Sequence, residues 1–152
     1  VCLRVFVSST TPIALEEGPS LSVRALDPSL ASIAALLGPS ARELGAHTGC
    51  ACGFRSSAAA WAGACSRRAE LQGLEGALLA DERDDLDRGD ASRKALAARI
   101  HESMREGPVR LYACWWGDES EPPQEAREVT IAHFTDELEP IPERALLTIT
   151  GA

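Results

Sequence analysis

A chain of 152 residues is long enough to bury about two-thirds of its unfolded surface in one domain without disulfide staples. Its formal net charge is −8 and no basic cluster exceeds Ser66-Arg67-Arg68, so it lacks the positive footprint that nucleic acid or an anionic membrane demands, leaving an unknown protein or a small molecule as partner. Five cysteines, odd in number and irregular in spacing, with no signal peptide and no apolar run of about 18 residues, point to a reducing cytoplasm. A leader removed ahead of Val1 is compatible with this.

Residues 2–7 are rich in β-branched and aromatic side chains and end in Ser8-Ser9-Thr10-Thr11-Pro12, the pattern of a strand entering a loop. Leu21, Val23 and Ala25 alternate with Ser22 and Arg24 as in a half-buried strand, which can form a hairpin with the first. Asp27-Pro28 reads as a helix start, because aspartate can cap free amide groups and proline already has the required φ. Leu30, Ile33, Ala34 and Leu37 then mark one face, and Gly38-Pro39 stops the helix. Residues 44–48 are short and extended. Beyond residue 54 comes an alanine-rich stretch with Trp61 and Cys65, then Leu71, Leu74 and Leu78 at helical spacing.

Residues 81–90 hold six carboxylates, yet they do not make an EF-hand: Gly89 falls one position early and Leu96 stands where a bidentate glutamate is needed. The expectation is instead that acidic groups favour a helix start, with Asp90 or Ser92 capping the helix that follows. Leu96, Ile100 and Met104 give that helix an apolar stripe, beside which His101 is a surface or core histidine, and Gly107-Pro108 ends it. Residues 109–116 form the strongest strand, with Val109, Leu111, Ala113 and Trp115 on one face and Arg110, Tyr112, Cys114 and Trp116 on the other, and it should be central. The acidic, proline-bearing stretch 117–123 reads as a solvated loop. Residues 128–134 read as a strand or as a strand running into a short helix capped by Thr130, which leaves the setting of His133 open, and residues 145–150 make a last strand. The expected fold is a single α+β domain over 1–152, with a mixed sheet of five or six strands and two or three helices.

The chemistry is concentrated in His47-Thr48-Gly49-Cys50-Ala51-Cys52-Gly53-Phe54. Two thiols separated by one residue project to the same side of an extended chain, and flanking glycines let the backbone bend until both sulfurs face one point. Thiolate is the soft ligand preferred by zinc, copper(I) and iron, and His47 can add a nitrogen. Cys114, near the end of the strongest strand and on the face opposite Trp115, is the expected third thiol, with Cys65 next. The metal-site candidates are thus Cys50, Cys52, His47 and Cys114. Buried cysteines as small hydrophobes, with glycines serving a tight turn, are the bland alternative. A small binding module holding a soft metal ion leads. A thiol–disulfide protein, in which Cys50 or Cys52 attacks as thiolate, and a non-catalytic protein-interaction domain compete with it. No Walker, Rossmann, nucleophile-elbow or His-Glu-x-x-His pattern is present to name a reaction.

The element from His47 to Phe54, together with Gly107-Pro108-Val109-Arg110-Leu111-Tyr112-Ala113-Cys114-Trp115 and Arg127-Glu128-Val129-Thr130, resembles a group of short bacterial proteins. That resemblance covers most of the chain and implies no activity. Cys50-Ala51-Cys52-Gly53 is also similar to the Cys-Gly-Cys-Gly end of A-type iron–sulfur carriers, whose thiols bind the cluster. It departs from them in lying mid-chain and in having no clear equivalent of their earlier third cysteine.

Overall fold

Leu3, Val5 and Val7 point to one side of the chain and Phe6 to the other, and all four are buried, so the strand they build must be covered on both faces. That strand, β1 (Leu3–Ser8), is the middle of a seven-stranded sheet. The computed structural model describes residues 2–54, 77–136 and 141–151. In chain order the further strands are β2 (Glu16–Glu17), β3 (Leu21–Ala25), β4 (Arg42–Ala46), β5 (Val109–Trp115), β6 (Glu125–Thr130) and β7 (Ala145–Thr150). The helices are α1 (Ala31–Leu37), α2 (Ala77–Ser103) and α3 (Ile131–Asp136). The strands run in the order β2-β3-β4-β1-β5-β7-β6. Every pairing is antiparallel except that of β6 with β7, so the sheet is mixed, as expected for the class.

The alternation of β1 is repeated in its neighbours. Leu21, Val23, Leu44, Ala46, Val109, Leu111, Ala113, Leu147 and Ile149 join Leu3, Val5 and Val7 on the face that α2 covers with Leu96, Ala97 and Ile100, and α3 with Phe134. Phe6, Tyr112 and Cys114 form the other core with Ile33 and Leu37 of α1. The sheet therefore lies between α1 on one side and α2 with α3 on the other. Among the described residues no helix is long and apolar enough to cross a membrane.

Several local expectations are corrected. Among the described residues the sheet has seven strands, not five or six; the extra one, β2, is two exposed glutamates with no alternation to betray it, paired to β3 and tied to α2 by an ion pair between Glu16 and Arg99. The first strand makes no hairpin with β3, because β4 takes the intervening place, with Val5 opposite Leu44 and Leu44 opposite Val23. Asp27 does not cap α1: its carboxylate accepts the Ser29 amide in a local turn, and the helix begins four residues later. The acidic run 81–90 lies inside α2 and precedes no helix start, so Asp90 and Ser92 are interior positions. Gly89 costs about 1 kcal/mol there, less than the packing of Leu96 and Ile100 against the sheet returns. β5 is internal and flanked by β1 and β7, one place from the middle. Thr130 does cap α3, its hydroxyl accepting the His133 amide at 3.1 Å. The alanine-rich stretch, Cys65, Leu71 and Leu74 lie outside the described residues.

Candidate metal centre

Where β4 ends, the backbone reverses twice in eight residues. The Gly49 amide donates to Ala46 O at 2.9 Å and closes a turn over His47 and Thr48, and Gly49 sits at φ 81°, a left-handed conformation that favours glycine. The Ala46 amide donates to Cys50 O at 3.1 Å, and the Gly53 amide reaches the same oxygen at 3.3 Å, winding Ala51–Gly53 into one tight helical turn. Ala51 and Phe54 are buried and pin this turn to the sheet. Gly53 is required for a different reason from Gly49. Its φ is ordinary, but a Cβ there would lie 2.6 Å from the Ala46 Cβ and 2.7 Å from the Thr48 hydroxyl.

The two reversals turn Cys50 and Cys52 to one side, as the flanking glycines led us to expect. The third sulfur comes from the other end of the sequence. Cys2 precedes β1, its carbonyl accepts the Trp116 amide at 2.8 Å, and β1 runs alongside the turn that carries the thiol pair. The sulfurs of Cys2, Cys50 and Cys52 all lie within 4.8 Å of one another. Cys2 is exposed and the other two are half-buried. Cys52 Sγ accepts the Leu3 amide at 3.1 Å, a contact that stabilises negative charge on sulfur. Cys50 is held down to about 5 from an ordinary 9.0, first by the hydrogen bond from the Cys52 side chain, against its burial, and further by the Cys52 amide, the Thr48 hydroxyl and Cys2.

The other candidates go elsewhere. His47 lies in the turn, but its amide and its Nδ1 both approach Ser92 Oγ of α2 at 3.1 Å, and it is outside the sulfur group. Cys114 is buried with Phe6, Tyr112 and Ile33 on the α1 face, whereas Cys52 packs against the core on the α2 face. Burial, then the charge of Glu119, pushes the Cys114 thiol up to about 12, the behaviour of a structural cysteine. Cys2 was missed by sequence reasoning because nothing local marks it. The available signal was tertiary: a cysteine opening the strand that β4 pairs with, just beyond which the thiol bend lies.

Arg4 braces this end of the sheet. It forms a two-pronged pair with Glu43 of β4 at 2.8 and 2.9 Å, reaches Glu119 beyond β5 at 2.8 Å, and stacks over Trp116 at 4.3 Å. Burial opposes its charge, but the two carboxylates outweigh this and raise its pKa. β1, β4 and the chain beyond β5 are thereby tied near the thiols.

The chain matches no protein-family model, no curated protein and no solved structure.

Proposed function

We propose that this is a small binding protein that holds one soft metal ion, zinc, copper(I) or iron, on the thiolates of Cys2, Cys50 and Cys52. The observation that carries this reading is the convergence of three thiols within 4.8 Å from two places far apart in the chain. A tetrahedral zinc ion with Zn–S bonds of ~2.3 Å separates its sulfurs by about 3.8 Å, so closing the group on one ion takes a movement of ~1 Å or less. Metal binding needs deprotonated sulfur, and backbone amides that persist in that state already donate to both turn thiols, the Leu3 amide to Cys52 and the Cys52 amide to Cys50. A cubane iron–sulfur cluster places each cysteine on its own iron, further apart than sulfurs that share an ion, so one ion fits this group better than cluster carriage.

Elemental mass spectrometry on protein purified without a histidine tag tests the reading. One equivalent of zinc, copper or iron per chain is expected, with loss of stoichiometric metal in Cys50→Ser and Cys52→Ser. A wild-type chain that stays metal-free after incubation with each ion in turn sinks it.

The same proximity, with the lowered pKa of Cys50, favours a second reading as a thiol–disulfide protein. Counting thiols under native conditions before and after mild reductant separates the two. A gain of two thiols that Cys50→Ser abolishes puts redox chemistry first, and neither metal nor a reversible bridge leaves a protein-interaction domain.

A further inference from the structure

The three thiols are not equivalent. Cys50 and Cys52 sit in a turn closed by four backbone hydrogen bonds and anchored by buried Ala51 and Phe54, with the Cys52 sulfur held by the Leu3 amide. Cys2 is exposed and lies ahead of the first strand. We infer, on the reading of these thiols as a metal site, that Cys2 is its exchangeable ligand and that the ion is passed to an external thiol.

Three protein sulfurs leave a four-coordinate ion one position for an outside donor. Among the described residues no further histidine, cysteine or carboxylate joins the group to close that position. His47 is engaged with Ser92, and Cys114 lies on the other face of the sheet. An incoming thiol therefore meets the ion from the exposed side. Its sulfur bonds the metal and gives up its proton; the Cys2–metal bond breaks and Cys2 takes up a proton. Charge and oxidation state are unchanged, so the step needs no oxidant or reductant. Repeating the exchange at the two held sulfurs completes the transfer, and a thiol-bearing acceptor is the partner this chemistry fits.

The test uses the full chain loaded with Zn²⁺, with release followed on a chromophoric chelator in the presence of glutathione or of a peptide carrying two cysteines. Wild-type release should rise in proportion to thiol concentration. The stronger of the two accelerants then shows whether a small thiol or a peptide dithiol is the better acceptor. Cys2→Ser should keep one zinc per chain, release it faster without thiol, and show a smaller proportional acceleration by added thiol than wild type, because only the exchanges at Cys50 and Cys52 remain. Cys52→Ser should fall short of one zinc per chain, and Cys65→Ser should behave as wild type. Circular dichroism confirms that the variants fold. Wild-type release that ignores thiol overturns the inference while leaving the metal site standing. The inference also falls, with the metal site intact, if Cys2→Ser strips zinc as fully as Cys52→Ser, or if Cys65→Ser removes the thiol dependence. A wild-type chain that binds neither zinc, copper(I) nor iron overturns both.

Discussion

Gly53 shows how one missing methyl group permits the site. The turn holding Cys50 and Cys52 passes so close to Ala46 and Thr48 that any Cβ at position 53 overlaps them, and the nearest atom belongs to a side chain with no freedom to rotate away. Gly53→Ala should cost about 1–3 kcal/mol, as overpacking does, seen as a lower urea midpoint. Because the relief must come from moving the turn, the variant should also bind zinc more weakly. Cys50 supplies a pH signature. Its folded pKa of about 5 lies below the ordinary 9.0, so its contribution to stability is complete above pH 9 and shrinks as pH falls toward 5. In metal-free protein, alkylation of Cys50 should titrate with a midpoint near pH 5. That midpoint should move upward in Cys52→Ala, which removes the leading hydrogen bond; an unmoved midpoint would assign the shift to another group.

At the scale of elements, α1 illustrates a short helix held by its surroundings. No side chain caps its start, and seven residues are too few to be stable alone. Its end is served from the sheet: Arg110 of β5 donates to the carbonyls of Leu36 and Leu37 at 3.3 and 2.9 Å, which satisfies orphan acceptors and sets a cation at the negative end of the helix dipole. Ile33 then inserts into the core of Phe6 and Tyr112. Ile33→Ala should destabilise the protein by about 2–5 kcal/mol in chemical denaturation. Since Ile33 lies across the sheet from the Cys52 side of the thiol group, zinc stoichiometry should stay unchanged, a combination that separates folding from site chemistry. α3 is attached differently. Arg93 of α2 is buried, lies over the Phe134 ring at 3.9 Å and donates to the Phe134 carbonyl, and burial lowers its pKa to about 10.

For the whole molecule, a metal ion would join the start of β1 to the turn after β4, and binding to the folded chain alone must stabilise it. Free zinc at a hundred times the dissociation constant adds about 2.7 kcal/mol. Thermal unfolding should accordingly rise with added zinc and return to the starting value with chelator. Cys50→Ser should remove the response. The far edge of the sheet is β6, whose exposed Glu125, Arg127 and Glu128 discourage pairing with another chain's edge.

Local order was legible in the residues. The period-two alternation of 109–115 and 145–150, the cap at Thr130 and the bend between Gly49 and Phe54 are short-range effects, set by side-chain size, branching and φ preference within a few neighbours. Assembly was not legible. The strand that pairs with β1, the passage of α2 unbroken through the acidic run, the placing of Cys114 against α1 and the arrival of Cys2 beside Cys50 and Cys52 all depend on which edges and faces must be buried together. Burial is a property of the packed chain, and it joins residues that share no local pattern. The thiol pair could therefore be read from its own neighbourhood, while its third member depended on the pairing of the sheet.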